Sequence, residues 1–195
     1  VMPLREENRI LVRHGLELMK QTQNVGLHAL MEVNQILPWQ DGKLGAFHIG
    51  FVLGPCLNAS GRLDSAQRAM ELLDSKTREA AVAQAAFLKQ LNDSRKEMTE
   101  EYVKIAVEKI ESGPLKDDRV LVVFLPDCHE SIAGIIAGRI RERYYRPTFV
   151  LTRGEEGVKG SARSIEGYHI YEEMTKCSSF FTKYGGHKMA AGLSM

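Results

Sequence analysis

The chain has 195 residues, 44% of them hydrophobic and 26% charged, so it is long enough to bury at least one sizeable core. Its 26 lysines and arginines nearly balance 25 aspartates and glutamates, and the formal charge of +1 excludes a protein that coats nucleic acid through its overall charge. Three widely separated cysteines argue against a disulfide scaffold and a four-cysteine zinc site. Because no long apolar run or signal-like start occurs, we expect a soluble intracellular protein without a membrane partner.

Both ends of the sequence have the character of internal positions. The chain starts at Val1 without an initiator methionine, and it stops at Met195 within an apolar segment that is typical of a core strand or helix. We therefore expect the sequence to be an excised part of a longer protein.

The first third of the chain is predicted to be helical at its start and irregular afterwards. Apolar residues at helical spacing predict a helix over residues 4–23 and a shorter one over 26–33. Five glycines and two prolines in residues 38–63 predict turns and close backbone approaches instead of a regular element. Asp64 or Ser65 is expected to cap the helix that follows.

The longest predicted element is a helix from Ser75 to about Ser112, which Gly113-Pro114 would end. About 37 residues at ~1.5 Å per residue give a rod of roughly 55 Å. Such a helix is either a large core element or a strut between two domains. The strut is favoured because compact single domains rarely contain so long a helix.

After Arg119 the pattern changes to alternating strands and helices. Residues 120–125 form a continuous apolar run rich in β-branched residues, which predicts a strand buried on both faces. A helix over 131–144 and a strand over 148–152 complete a β-α-β unit, whose two strands should be parallel.

Two further elements are predicted near the end of the chain, a strand over 158–164 and a helix over 168–176. Residues 184–187 are expected to form a glycine turn before a last apolar segment. The whole pattern predicts an α/β protein: a helical first part, a long connecting helix, and a small α/β domain with a mixed, partly parallel sheet.

Asn58 and Arg62 stand out in the run of small residues from Gly54 to Leu63. Small residues let a backbone approach a ligand closely, Asn58 offers both a donor and an acceptor, and the planar guanidinium of Arg62 suits a phosphate. The alternative is a turn with a surface arginine, which is the commoner explanation for such residues.

The segment from Lys159 to Ser164 is a second candidate site. On a strand, Ser161 and Arg163 would share one face, and Gly160 would leave room for a ligand, so that these residues could form an anion cradle. An exposed polar edge strand explains the same residues equally well.

Two histidines lie in segments that suit ligand contacts. Gly185 and Gly186 could direct backbone N–H groups into a concavity beside His187, although a lone histidine is usually a structural residue. His129 follows the first predicted strand, where parallel sheets bind ligands, and it could equally cap the next helix.

The near-neutral total charge conceals a basic segment. Residues 139–163 contain seven cationic and three acidic side chains, a net charge of +4. This excess suits a groove for a polyanion, although an exposed helix face would account for most of the arginines.

Five runs in order along nearly the whole chain resemble the RecJ family of single-strand-specific 5′→3′ DNA exonucleases, within the DHH phosphoesterase superfamily. Each run alone is weak, but five in the family's order are specific. The runs are Met2-Pro3-Leu4…Glu7-Asn8-Arg9, Gly54-Pro55…Asn58-Ala59-Ser60-Gly61-Arg62-Leu63, Cys128-His129-Glu130-Ser131…Gly134-Ile135-Ile136-Ala137, Gly160-Ser161-Ala162-Arg163-Ser164 and Gly185-Gly186-His187…Ala190-Ala191-Gly192.

The resemblance implies three parts: the end of a catalytic DHH domain in residues 1–74, a connecting helix over 75–113, and a DHH-associated domain over 114–195 that is truncated at its end. In the family the two domains face each other across a nucleic-acid cleft. The implied activity is hydrolysis of single-stranded DNA in DNA repair and recombination. The implied setting is the cytoplasm, at the bacterial nucleoid, with single-strand binding protein and a helicase as further partners.

The resemblance also assigns residue roles. Asn58 and Arg62 would contact the terminal 5′ phosphate, and His129 is a candidate cleft residue. The candidates for holding the strand near the scissile phosphate are Ser161, Arg163, Gly186 and His187. Lys159 and Gly185 are further candidates for binding phosphate.

The family's Mn²⁺ or Mg²⁺ ions would activate the attacking water, and their ligands are aspartates and an Asp-His-His triplet. That triplet does not occur in this sequence. No catalytic or metal-ligating residue is therefore assigned, and the chain alone is expected to be inactive.

Two alternatives stay open. One is a DHH-type phosphodiesterase for short oligonucleotides or cyclic dinucleotides, a group that shares the Gly-Gly-His segment but generally lacks the run at 58–63. The other is a relative that binds nucleic acid without cleaving it, which an intact Asp-His-His triplet in the longer parent protein would exclude.

Overall fold

A computed structural model describes residues 3–195, for residue 41 the backbone only. Val1 and Met2 lie outside the described residues, and Met2 is the first residue of the first family-like run. The chain divides into two compact units, one extending through Arg95 and the other comprising Lys96–Met195. The helices that begin in the first unit are α1 (Glu6–Lys20), α2 (Val25–Val33), α3 (Pro38–Asp41), α4 (Ala46–His48), α5 (Gly54–Leu63), α6 (Gln67–Leu73) and α7 (Arg78–Ser112). A π-helical segment, Ile49–Leu53, joins α4 to α5.

The core of the first unit depends on close contact between α2 and α6. Asn24 caps α2, since its Oδ1 accepts the Leu27 N–H at 2.9 Å, and its Nδ2 donates to the Leu73 carbonyl at 2.9 Å. A Cβ on Gly26 would overlap the Leu72 carbonyl oxygen, so only glycine allows this approach. Buried side chains of α2, α6 and α7 fill the space around this contact, among them Leu30, Met31, Leu72, Ala81, Ala85 and Leu88.

The predicted helix at the start of the chain is present as α1. Its apolar residues Leu11 and Leu18 point to solvent, whereas Leu16 and Met19 pack against the core of the unit. Helical spacing therefore identified the element but not the face that is buried.

The prediction of irregular structure over residues 38–63 is wrong, because most of the segment is helical. The π-helical segment ends at Leu53, two residues before Pro55, which lacks the N–H that a regular helical ladder requires at that point. A close backbone approach does occur, since a Cβ on Gly54 would lie 2.8 Å from the Ile49 carbonyl oxygen. The proline and glycine residues thus shape a helix here instead of interrupting it.

The prediction that Asp64 or Ser65 is the N-cap of the next helix is wrong. The N-cap of α6 is Ala66, which has no side-chain cap, and Asp64 is the C-cap of α5. The Ser65 hydroxyl lies one position earlier and accepts the Gln67 N–H at 3.2 Å.

The long helix is present as α7 with 35 residues, and it begins three residues later than predicted. Ala81, Ala85 and Leu88 belong to the core of the first unit, and Ala106 and Ile110 to the core of the second. One helix therefore supplies buried side chains to both units.

The second unit contains a mixed sheet, as predicted. Its elements after α7 are β1 (Leu121–Phe124), α8 (Glu130–Tyr144), β2 (Thr148–Arg153), β3 (Val158–Arg163), α9 (Ile170–Lys176), β4 (Lys183–His187) and β5 (Ala190–Ser194), with short 3-10 turns at Pro114–Asp117 and Ser178–Phe180. Within the described residues the strand order is β1-β2-β3-β5-β4. The pair β1–β2 is parallel, as the β-α-β pattern requires, and the other pairs are antiparallel.

The prediction that the first strand is buried on both faces is wrong. Leu121 and Val123 are buried, but Val122 and Phe124 are 47% and 45% exposed. Strand β1 lies at an edge of the sheet, and the buried residues of α8 pack with Leu121 and Val123 in one core cluster.

The predicted glycine turn at residues 184–187 is also wrong. Gly185 and Gly186 lie in the edge strand β4, and the chain reverses at Lys188-Met189 before β5. Glycine is tolerated in an edge strand with an open face, because the missing side chain deprives few neighbours of a packing partner.

No helix among residues 3–195 is long and apolar enough to cross a membrane.

The helix contact at Gly26 gives a test of the first unit. We expect Gly26→Ala to destabilise the unit by about 1–3 kcal/mol, because the new methyl group meets backbone that cannot move aside. Gly15→Ala in α1 is the matched control: nothing lies within 4 Å of its Cβ position, and the change should stabilise the helix by roughly 0.5–1 kcal/mol. Urea unfolding followed by the fluorescence of Trp39, the single tryptophan, measures both. Equal effects would contradict the packing described.

Candidate nucleic-acid interface

Strand β3 lies in the interior of the sheet and carries three of the predicted site residues on one face. In its pairing with β2, Lys159 is opposite Thr152, Ser161 is opposite Val150, and Arg163 is opposite Thr148. Directly opposite residues point to the same face of a sheet, and these three β2 residues are the buried ones of their strand. Val150 belongs to the core cluster that contains the buried residues of α8, so the site residues share the α8 side. The interpretation of this segment as an exposed edge strand is wrong.

The same face continues across β5 to β4. Gly192 of β5 is opposite Ser161, and Gly185 of β4 is opposite Gly192. His187 aligns in the same way, through Ala190, with Arg163. We call this surface the polar sheet face; it consists of Lys159, Ser161, Arg163, Lys183, Gly185, His187, Gly192 and Ser194.

Gly186 is the predicted site residue that faces the other way. A Cβ at this position would lie 2.7 Å from the Ala191 Cβ, on the side of the sheet where Ala191 joins the α9 core. A ligand on the polar sheet face would therefore lie over Gly185, whereas Gly186 faces the opposite side of the sheet.

A groove of about 550 Å³ runs along the polar sheet face. Gly185 and Gly192 form its floor: a Cβ on Gly185 would meet nothing within 4 Å, and one on Gly192 would meet only the Gly160 carbonyl oxygen at 3.8 Å. Two lysines give the groove cationic walls, and Glu130 brings the one acidic group among its lining residues. The residues that line it are Glu130, Ser131, Lys159, Gly160, Ser161, Lys183, Tyr184, Gly185, Gly192, Leu193 and Ser194.

Sequence analysis missed Lys183, Ser194 and Ser131 as groove residues and assigned no role to Gly192. Lys183, Ser194 and Gly192 join the site through the register of β4 on β5 and of β5 on β3, which pairs residues far apart in sequence. Ser131 belongs to the first turn of α8. The signal in the sequence was the small residues on both sides of His187, Gly185-Gly186 before it and Ala191-Gly192 after it. If both segments are taken as strands, these residues predict a hairpin with one face free of large side chains.

Arg163 is held along its own strand and beneath α8. Its Nη1 donates to the Ser161 Oγ at 3.1 Å and to the Ala162 carbonyl at 2.8 Å. A Cβ on Gly134 of α8 would lie 2.7 Å from both the Arg163 Nη2 and the Ser161 Oγ. Gly134 therefore lets the guanidinium and the hydroxyl pack against the helix, a role that the sequence alone did not indicate.

His129 caps α8 and also faces a second groove. Its Nδ1 accepts the Ser131 N–H at 3.3 Å and lies 2.7 Å from the Ser131 Oγ. The ring is exposed and lines a second polar groove of about 550 Å³, which shares Glu130, Lys159, Lys183 and Ser194 with the first. Three cationic residues and three glutamates line this second groove, so its charge is balanced: Arg153, Lys159, Lys183, Glu130, Glu155 and Glu156. The cap that the sequence allowed is present, and it uses only the Nδ1 atom of the ring.

The loop before His129 is anchored from two sides. The Tyr102 hydroxyl of α7 donates to the Asp127 carbonyl at 2.5 Å, and the buried Thr152 hydroxyl of β2 donates to the Cys128 carbonyl. Burial raises the pKa of Cys128 to about 11, so its thiol is protonated at neutral pH and is neither a nucleophile nor a thiolate ligand. The loop is thus a structural support for the groove.

His187 ends β4 and has one ring contact that helps to form the following turn. Its Nδ1 accepts the Met189 N–H at 3.3 Å, and the residue is exposed. The arginines of the basic segment have mixed roles: Arg146 donates to the carbonyls of Lys116 and Asp118 and so holds the turn before β1, while Arg139 is exposed.

Asn58 and Arg62 lie on helix α5 of the first unit, and the interpretation as a turn with a surface arginine is wrong. They are four residues apart and share a helix face, with Asn58 exposed and Arg62 partly buried. Cys56, Ala59 and Ser60 form the opposite, buried face. The small residues of this run therefore pack the helix against its own unit, and the two polar residues point outward.

The described residues do not provide a metal centre. Among residues 3–195, no three histidine, cysteine, aspartate or glutamate side chains come close enough together to hold an ion.

Comparison with known proteins shows which proteins the chain resembles. The model of the DHHA1 domain matches residues 117–195. The whole chain is 36% identical to the single-stranded-DNA-specific exonucleases RecJ of Bacillus subtilis (strain 168) and Escherichia coli (strain K12), and covers 25% and 35% of them. The chain thus spans about a quarter to a third of the curated relatives it matches.

Solved structures give the same match over the full chain. The structure of RecJ from Thermus thermophilus in complex with Mg²⁺ has a TM-score of 0.86 at 32% identity, and the chain covers 29% of it. A structure of exonuclease RecJ bound to manganese has a TM-score of 0.81 at 31% identity, with 47% of that chain covered.

The anchored loop gives a test of the second unit. We expect Thr152→Val, which keeps the shape of the side chain but leaves the buried Cys128 carbonyl without its donor, to cost about 1–3 kcal/mol. Thr175→Val on the exposed side of α9 removes a comparable hydroxyl bond, to the Tyr171 carbonyl, and should cost less than about 0.5 kcal/mol. Urea unfolding followed by circular dichroism measures both, and similar costs would show that the loop contact is not a stabilising anchor.

Proposed function

Since the chain belongs to the RecJ family, we propose that it is the part of a single-stranded-DNA-specific exonuclease that holds the DNA strand. The observation that carries this proposal is the register of the sheet, which gathers Lys159, Lys183 and Arg163 on one face around a glycine-floored groove. We assign residues 1–74 to the end of the catalytic domain, 75–113 to the connecting helix and 114–195 to the DHH-associated domain.

The groove suits a sugar-phosphate backbone in charge and in shape. Cationic side chains neutralise phosphates and release their counterions, which supplies most of the affinity of sequence-independent binding. Gly185 and Gly192 leave the floor open, so a strand can lie close to the backbone of β4 and β5. Ser161 and Ser194 add hydroxyl donors to the same groove.

Arg163 is proposed to bind a phosphate next to the groove. Its guanidinium lies against Gly134 and is oriented by the Ser161 hydroxyl, so little side-chain entropy is lost on binding. His187, on the same face, would donate to a neighbouring phosphoryl oxygen, and His129 would contact the strand from the adjoining groove.

Asn58 and Arg62 are proposed to contact the terminal 5′ phosphate. Both lie on one outward face of α5, with Arg62 in its last turn. The negative end of a helix dipole repels an anion, so the guanidinium must outweigh this effect. A planar fork that forms two hydrogen bonds to one phosphate does so better than a lysine would.

The related RecJ structures were solved with Mg²⁺ or manganese, and the residues described here do not fit a centre for either ion. We therefore propose that the ligands lie in other parts of the full-length protein and that this chain binds DNA without cleaving it. Action in cytoplasmic DNA repair and recombination at the nucleoid, with a single-strand binding protein or a helicase, extends the same proposal from the family resemblance.

Binding of a long 5′-phosphorylated oligothymidylate, followed by fluorescence anisotropy, tests the proposed function. We expect Lys159→Ala and Arg163→Ala each to weaken binding at least about tenfold, since a charge-assisted hydrogen bond contributes roughly 1.5–3 kcal/mol. Each should also lower the slope of log affinity against log salt by about 0.7. The control is Lys176→Ala on α9, whose buried residues pack on the other face of the sheet, and it should leave affinity unchanged.

Equal affinity and equal salt dependence in the wild type and both variants would overturn the proposal. Competition by an unlabelled dinucleotide as effective as that of the long strand would favour the phosphodiesterase for short substrates instead.

Gly134 provides an independent test of how Arg163 is positioned. We expect Gly134→Ala to weaken DNA binding by about the same factor as Arg163→Ala, because the new methyl group displaces the guanidinium and the Ser161 hydroxyl. Gly138→Ala, one turn later on α8, meets nothing within 4 Å and should leave DNA affinity unchanged. Because the displaced atoms are side-chain ends, both variants should stay folded in urea titrations. Unchanged affinity of folded Gly134→Ala would show that this contact does not position Arg163.

A further inference from the structure

Two phenylalanine rings stand exposed side by side in the first unit. Phe47 is 64% exposed and Phe51 is 71% exposed, and their ring centroids are 5.2 Å apart with 24° between the ring planes. Single exposed apolar residues are common on protein surfaces, but a stacked pair of rings turned to solvent forms a coherent apolar surface, which is typical of a binding site.

The rings belong to the same helical run as Asn58 and Arg62. Residues 46–63 continue without a break through α4, the π-helical segment and α5. Leu53 and Cys56 mark the buried side of this run, and Asn58 follows Phe51 by seven residues, two helical turns later on the outward side. At ~1.5 Å per residue the two residues are roughly 10 Å apart along the axis.

We propose that Phe47 and Phe51 are a stacking platform for the nucleobases of single-stranded DNA, next to the phosphate contacts of Asn58 and Arg62; this inference rests on the proposed function. The face of a phenyl ring binds the π-face of any base, and such stacking tolerates every sequence. A strand whose phosphate lies at Asn58 and Arg62 continues along the same outward helix face, which leads to the rings.

The proposed platform also selects single strands over duplex DNA. A base must leave its neighbours and its pairing partner before it can lie on a phenyl ring, and a duplex makes both separations costly. A single strand offers unpaired bases at little cost. The two rings would therefore contribute to strand selection, in contrast to the polar sheet face, which binds the phosphates that single strands and duplexes share.

The experiment compares two DNA strands of equal length, an oligothymidylate and a strand of abasic sites, both 5′-phosphorylated, with the chain and its variants. We expect Phe47→Ala and Phe51→Ala each to weaken oligothymidylate binding at least about fivefold, the lower end of what one stacked base contributes. Neither variant should weaken binding of the abasic strand, which has phosphates but no rings. Phe51→Trp should retain binding, because a larger ring stacks equally well.

The matched control is Leu11→Ala in α1, a side chain that is 70% exposed, and it should leave both affinities unchanged. Urea unfolding verifies that each variant is folded. Equal loss on both strands, or loss on neither, overturns the platform; loss on neither is the result expected if an apolar segment of a longer chain covers the rings. The proposed function fails separately, when the wild type does not bind the oligothymidylate or when Lys159→Ala and Arg163→Ala bind it as tightly as the wild type.

Discussion

The packing of α8 on one face of the sheet is the constraint on which the second unit depends. Ile132, Ile136 and Ile140 are buried in one cluster with Leu121, Val123 and Val150, and this apolar contact stabilises the parallel pair β1–β2. The polar sheet face lies on the same side, on β3, β5 and β4. One face of one sheet is therefore apolar under the helix and polar beside it.

Gly134 lies where these two parts of the face meet. Because glycine has no side chain, α8 lies close to β3 with the Arg163 guanidinium and the Ser161 hydroxyl against it. Bringing a guanidinium against a helix costs free energy of desolvation, which the hydrogen bonds to Ser161 and Ala162 partly offset. Packing that stabilises the fold thus also orients the charge that the proposed function uses.

Much of the fold could be predicted from the sequence, because long periodic segments reflect burial directly. The helices α1, α2, α7 and α8 and the parallel pair β1–β2 follow from apolar spacing and the crossover rule. The predictions of which faces are buried, and of what the glycines do, were the ones that failed. The apolar run at 120–125 does not reveal that β1 is an edge strand, and the glycines at 185 and 186 suggested a turn because a single sequence does not show that β5 pairs with them.

The candidate site was likewise predictable by residue type and not by arrangement. Lys159, Ser161 and Arg163 alternate along one strand, so their common face followed from the period of two. Lys183 and Ser194 could not be added, since only the register across β5 brings them beside Lys159. The shared exposure of the phenylalanines at 47 and 51 could not be predicted for a related reason. The expected irregular segment has no defined outward face, whereas the continuous helical run does.

The two kinds of proposed contact have one property in common, namely that neither depends on base identity. Phosphate contacts are the same at every nucleotide, and a phenyl ring stacks on any base. A near-neutral chain that concentrates a few cations on one face gains this affinity locally, so binding should fall steeply with salt and each contact should form and break readily. Sequence-independent contacts of modest strength let a strand move by one nucleotide and find equivalent partners. The proposed role, holding the substrate of an exonuclease that removes successive nucleotides, requires this property.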